Sequence, residues 1–259
     1  MLARKTLSRP GSVCGGTRAG AETPRRASRA VRGSLRSLVL QGDNHRRGLH
    51  FERWIVGQEE NSVGHRFPVL ETERLRLREP RRSDAERLLD AWRDEETMLY
   101  FGTEPLGTRR EAVEEIRAFR EQASSGEGIR WIITERERDE YVGDIGFFDF
   151  APEHARAEIG FLLAKPSWGR GLMSEALAAT LQYGFVAKDL HRVEALVDPR
   201  NVACLRVLER RGFRREGTLR DYEFERDAFI DLVLLSMLRP EWVEAQSCGR
   251  STMDSAGTA

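Results

Sequence analysis

The chain has 259 residues with 42 basic and 42 acidic side chains, enough for one substantial domain plus tails. The zero formal charge hides an asymmetry: residues 1–50 hold eleven Lys or Arg against Glu22 and Asp43, leaving the rest at −9. An acidic body argues against wrapping nucleic acid, short broken apolar runs exclude a membrane-spanning helix, and a cationic amine is the partner whose sign fits.

The chemistry-bearing residues narrow this further. Cys14, Cys204 and Cys248 are far apart and odd in number, so neither a disulfide framework nor a CxxC metal site is expected. The histidines at 45, 50, 65, 154 and 191 lack metal-ligand spacing as well. No metal is expected, and the compartment reads as reducing and aqueous, that is, cytoplasmic.

In chain order, residues 1–65 are rich in Arg, Ser and Gly without sustained periodicity, and read as a disordered basic extension. The folded domain is expected over 66–243, with 244–259 a second disordered tail. Its first strand is Arg74 to Glu79, where leucines alternate with arginines so that one face is buried and the other meets water. Ser83 lies where an N-cap would, with Glu86 three residues on and Leu88, Leu89 and Trp92 as the stripe of a first helix. A second helix runs from Thr108 or Arg109 to Gln122, burying Val113, Ile116 and Phe119. Arg130–Thr134 and Tyr141–Phe150 make an antiparallel hairpin. Ala157–Leu163 is a strand, Leu172–Phe185 a helix, Arg192–Val197 a strand, Asn201–Arg211 a helix, and Phe213–Leu219 and Phe229–Leu238 the closing strands. This order makes an α/β or α+β domain with a mixed sheet.

The most informative stretch is Trp168-Gly169-Arg170-Gly171-Leu172-Met173-Ser174, a glycine loop between a strand and a helix. Such a loop turns backbone N–H groups outward at a positive helix end, the ordinary way to hold a phosphate or diphosphate. Gly169 and Gly171 permit positive φ or close approach, and Arg170 can add a charged contact.

Over residues 69–242 the chain resembles the GNAT N-acetyltransferases, and within them the ribosomal-protein alanine N-acetyltransferases. The resemblance rests on Leu70-Glu71-Thr72-Glu73-Arg74-Leu75-Arg76-Leu77-Arg78, Val142-Gly143-Asp144-Ile145-Gly146, Ala157-Glu158-Ile159-Gly160-Phe161, the glycine loop, Asn201-Val202-Ala203-Cys204 with Arg210-Arg211-Gly212-Phe213, and Arg239-Pro240-Glu241-Trp242. It implies a mostly antiparallel central sheet flanked by helices. It also implies an acetyl-CoA co-substrate with its diphosphate on Trp168 to Ser174, and a strand at Phe161 and Leu162 that splays from its neighbour to take the pantetheine arm. Asn201 and Cys204 would then lie near the thiol.

The reaction implied is direct transfer of an acetyl group from a thioester to a primary amine, most simply the α-amine of a basic protein N-terminus. A small amine such as an antibiotic or polyamine, or a CoA-binding sensor without turnover, are the alternatives. The amine must lose a proton, and Glu158, in the strand before the loop, is the expected base. Asp144, Asp149 and Glu194 are weaker alternatives, and His191 reads as structural. Where the family often has serine this chain has Cys204, and where it often has a tyrosine in the last strand it has Leu235, which leaves Tyr183, Tyr222 or water to protonate the leaving thiolate. Trp92, Tyr100, Phe101 and Phe147 to Phe150 are expected around the acceptor cleft, with the protein a monomer or homodimer.

Overall fold

The computed structural model describes residues 2–3, 56–60 and 66–251, with side chains from 67 to 247. Apart from two short strands, β1 (Leu2–Ala3) and β2 (Val56–Glu60), the basic extension expected over 1–65 lies outside the described residues.

The domain opens with β3 (Arg66–Glu71) and β4 (Leu75–Arg78). Leu75 and Leu77 are fully buried, as alternation requires, but Arg78 is buried too, at 2% exposure. It survives there because its guanidinium donates to Asp84 at 2.8 and 2.9 Å and to Asp139 at 2.6 Å. This corrects the expectation that every arginine of the strand meets water. Helix α1 (Ala85–Trp92) starts one residue later than a Ser83 cap would put it, behind a 3₁₀ turn at Arg82–Asp84 with no side-chain cap from Asp84. The turn forms because Asp84 is spent on Arg78 and on the Arg81 N–H.

Helix α2 (Glu95–Met98) is a single turn capped by Asp94. Helix α3 (Arg109–Ser125) begins with a capping box in which Thr108 and Glu111 satisfy each other's backbone N–H groups. The hairpin is β5 (Ile129–Glu135) and β6 (Tyr141–Ala151), followed by β7 (Arg156–Leu163), the glycine loop, and α4 (Leu172–Gln182), which ends in a π turn at Tyr183–Ala187. Then come β8 (Arg192–Val197), α5 (Val202–Arg210), β9 (Arg214–Glu225), β10 (Ala228–Leu238) and α6 (Arg239–Ser251). Strand β9 runs past its expected end at Leu219, and α6 carries helix into the segment from 244 that composition alone reads as a tail.

The strands lie in the order β2-β3-β4-β5-β6-β7-β8-β10-β9, with β1 beside β7. All neighbours are antiparallel except β7 and β8. The mixed, mostly antiparallel sheet flanked by helices is therefore the fold the resemblance implies. Alternation sorts the side chains into two cores: Ala157, Ile159, Phe161 and Leu163 of β7 face α4 and α5, whereas Leu162 joins α1 and α3 with Ile132 and Tyr141. Glu158, two and four positions from Gly160 and Leu162, shares the latter face.

Candidate active site

The glycine loop is built by conformation rather than by crowding. Gly169 and Gly171 have φ of 72° and 75°, a region that costs other residues, and an added β-carbon at Gly169 would meet no protein atom within 4 Å. Gly171 is the N-cap of α4, and the first hydrogen bond of the helix runs from the Glu175 N–H to the Gly171 carbonyl at 3.2 Å. The N–H groups of Leu172, Met173 and Ser174 precede that ladder and point at whatever lies before the helix. Trp168 folds the loop back by donating its indole N–H to the Leu163 carbonyl at 2.6 Å.

Two anchors hold this turn. Glu175 accepts from the Arg74 backbone N–H at 2.9 Å and guanidinium at 2.6 Å and bonds to Thr72, while Arg74 also donates to the Arg170 carbonyl at 3.0 Å. Burial alone would raise the Glu175 pKa, but the hydrogen bonds from Thr72 and Arg74 and the Arg74 charge carry it below its ordinary value. Arg170 turns away to pair with Glu135 at 2.7 Å. A further cation reaches the turn from elsewhere: Arg211, the C-cap residue that follows α5, donates its Nε–H to Ser174 Oγ at 2.8 Å. Sequence reasoning passed over Arg211, although one residue past the helix it continues the i, i+4 spacing of the buried Cys204 and Leu208 to i+7.

Strands β7 and β8 are paired only at Arg156–Arg192, Ala157–Val193 and Glu158–Glu194, then part. Glu158 is thus the last paired residue before the gap, at 8% exposure. Beyond it the side chains of Phe161 and Leu162 are buried in opposite cores, and the backbone expected to take the pantetheine arm is paired in this structure with β1, Leu162 opposite Leu2 and Phe161 opposite Ala3. Asn201 caps α5 by accepting the Cys204 N–H at 3.1 Å, and Cys204 is fully buried in the main core. Both stand where β8 runs into α5, across the gap from β7.

The alternative carboxylates have other employment. Asp144, wholly buried, accepts from Arg130 Nε at 2.8 Å, from the Trp92 indole at 3.0 Å and from the Tyr141 hydroxyl at 2.6 Å. Burial, reinforced by the Asp144 charge, pushes the Tyr141 phenol well above its usual pKa. Glu194 pairs with Arg192 at 2.6 Å and Arg156 at 2.9 Å. Asp149 is exposed in a positive-φ kink at the end of β6, and His191 is tied by its backbone N–H to the Ala155 carbonyl at 2.7 Å.

Of the aromatics expected around an acceptor cleft, Trp92, Phe101 and Phe147 are core residues at 1% exposure or less. Tyr100 is partly exposed, and the Arg200 guanidinium, bidentate on Asp198 at 2.6 and 3.0 Å, lies 5.6 Å above its ring. Leu235 is fully buried, Tyr183 is edge-on to Trp131 with burial raising its pKa to about 12, and Tyr222 is half exposed. No group of three or more metal-binding side chains occurs among the described residues.

Comparison with known proteins bears on this geometry. Residues 74–214 match the family described as "Acetyltransferase (GNAT) domain". The N-acetyltransferase p20 of Bacillus licheniformis is 36% identical over 174 residues, spanning 67% of this chain and 98% of that protein. The [ribosomal protein uS5]-alanine N-acetyltransferase of Escherichia coli is 33% identical over 84 residues, 32% of this chain and 43% of that one. Mycobacterium smegmatis RimJ, solved in complex with CoA-disulfide, superposes with a TM-score of 0.59 at 25% identity, covering 66% of this chain and 89% of that chain. With the split between β7 and β8 and an open-ended α4 behind a two-glycine loop, as a thioester arm and a diphosphate require, the chain belongs to the GNAT acetyltransferase family, whose fold takes acetyl-CoA as co-substrate and an amine as acceptor.

Proposed function

We propose that this protein acetylates the α-amine of a protein N-terminus in a cytoplasmic setting, with Glu158 as the group that takes the amine proton. The observation that carries the reading is the placement of Glu158: a nearly buried carboxylate on the α1/α3 face, at the residue where β7 and β8 part. Acetyl-CoA supplies an activated acetyl thioester at that split. The loop from Trp168 to Ser174 orients its diphosphate, with backbone N–H groups from Gly169 onward as the donors, since that of Trp168 is held by the Lys165 carbonyl, and the Asn201 cap fixes the start of α5 beside the arm. Glu158 then takes the proton lost as the amine forms its bond to the acetyl carbon; the carbon–sulfur bond breaks, and CoA leaves as the thiolate, which water protonates. Support for a protein α-amine comes from the likeness to the uS5-alanine enzyme and from the −9 charge outside residues 1–50, which draws basic N-termini.

The experiment is thiol release from acetyl-CoA with peptides bearing free N-terminal Ala or Ser, with lysine peptides blocked at the N-terminus, and with small amines. Turnover confined to free N-termini is the expected result; preference for a polyamine or aminoglycoside would replace it with a small-amine enzyme. Absence of release with every acceptor, despite tight CoA binding, would make the protein a sensor. Glu158→Gln should keep CoA affinity and lose about 10²–10⁴-fold in rate. Full activity in that variant would remove Glu158 as base.

A further inference from the structure

Three arginines surround the first turn of α4, and they differ in how their charge is met. Arg74 is engaged with Glu175 and Arg170 with Glu135. Arg211 is partly buried, its hydrogen bond goes to the neutral hydroxyl of Ser174, and no carboxylate among the described residues forms an ion pair with it. Burial depresses its pKa, and Glu175 opposes this only by longer-range attraction. A guanidinium withdrawn from water without a counter-charge is costly unless a ligand supplies one.

The position of Arg211 says which ligand. Ser174 is the third residue of α4, so its hydroxyl stands beside the last N–H group that precedes the helical ladder. With Nε held by that hydroxyl, the two terminal nitrogens of the guanidinium remain to form the fork that matches phosphate oxygens. Arg170, next to the glycines in sequence, is turned to Glu135 instead.

We propose that Arg211, not Arg170, is the cationic contact for the diphosphate of acetyl-CoA, positioned for it by Ser174. This rests on the acetyl-CoA reading of the glycine loop and adds a side chain to what backbone alone provides there. Ser174 is accordingly a positioning residue, and Arg211 a specificity-determining one for phosphorylated over dephosphorylated pantetheine thioesters.

Calorimetric titration of the full chain with CoA, without acetyl transfer, tests this. Arg211→Gln keeps a partner for Ser174 and removes only the charge; its Kd should weaken about 10- to 100-fold. Arg210→Met, which deletes a charge from the exposed neighbouring position, should stay within about twofold. The loss in Arg211→Gln should be equal for CoA and for 3′-dephospho-CoA, since both carry the diphosphate. A loss seen with CoA alone would move the contact to the 3′-phosphate and overturn the assignment, as would unchanged Kd in Arg211→Gln. Should that variant not fold, Arg211→Lys serves: a Kd weakened several-fold for both ligands is expected from the lost fork, and wild-type affinity overturns the proposal. Failure of the wild-type chain to bind CoA at all would instead remove the acetyl-CoA reading itself.

Discussion

The residue that departs furthest from its sequence expectation is Asp144. In the sequence it is a candidate base; in the fold it is the hub of a buried cluster, with Arg130 flanked by Trp92, Phe101 and Phe119 at 5.1 to 5.8 Å. Three donors converge on one carboxylate, so removing it strands a buried guanidinium as well as an indole and a phenol. Asp144→Ala should therefore cost about 3–5 kcal/mol of stability, the usual loss when one partner of a buried pair is removed. Urea unfolding measures it, and a loss below about 1 kcal/mol would show that water or a neighbour compensates Arg130. Nothing in Gly143-Asp144-Ile145 distinguishes this role from catalysis, because the distinction lies in Arg130 and Trp92, which are brought in from other elements. The same holds for Arg78 and Arg211: local pattern tells that a side chain points inward, but only tertiary contacts tell whether a carboxylate meets it there, as Asp84 and Asp139 meet Arg78.

Elements with a strong period were legible. The bounds of β8 agree with expectation, and α3 starts at Arg109, one of the two starts expected for it. The single-turn α2 offers too few residues for a period to show, Pro68 inside β3 argues against a strand there, and the split between β7 and β8 is invisible because both read as ordinary apolar strands. The outer strands are bound by charge: Arg192 of β8 reaches across β10 to Glu216 of β9 at 2.5 and 2.7 Å, and Ser236 of β10 donates to the same carboxylate at 2.5 Å. These bonds, Arg192 first and Ser236 next, lower the Glu216 pKa from 4.5 to about 2. A carboxyl depressed on folding stabilises above its unfolded value, and that contribution is lost as pH falls from about 4.5 towards 2. Partial exposure of Glu216, at 39%, screens the pair and keeps the effect modest. Glu216→Gln should lower stability near neutral pH and flatten its acid-side decline over that window. Equal slopes for variant and wild type in urea midpoints against pH would show that other carboxylates govern the decline.

At the scale of the whole molecule, charge and light-absorbing groups are both unevenly placed. The acidic charge belongs to the part of the chain that carries the domain, while the basic excess is confined to residues 1–50, so composition alone hinted at a cationic acceptor without locating its cleft. Of the tryptophans in the described residues, Trp92 and Trp131 are sealed in the two cores, and Trp242 is stacked 5.3 Å from Phe185. Trp168 alone among them sits in the glycine loop, with its N–H fixed on Leu163 and its ring partly open to solvent. That placement gives the protein a native optical reporter of cofactor arrival. Emission should change when CoA is added, in proportion to occupancy, and Trp168→Phe should silence the response while calorimetry still registers binding. A full response in Trp168→Phe would mean that the signal comes from the sealed cores, and so that binding at the loop is felt through the sheet.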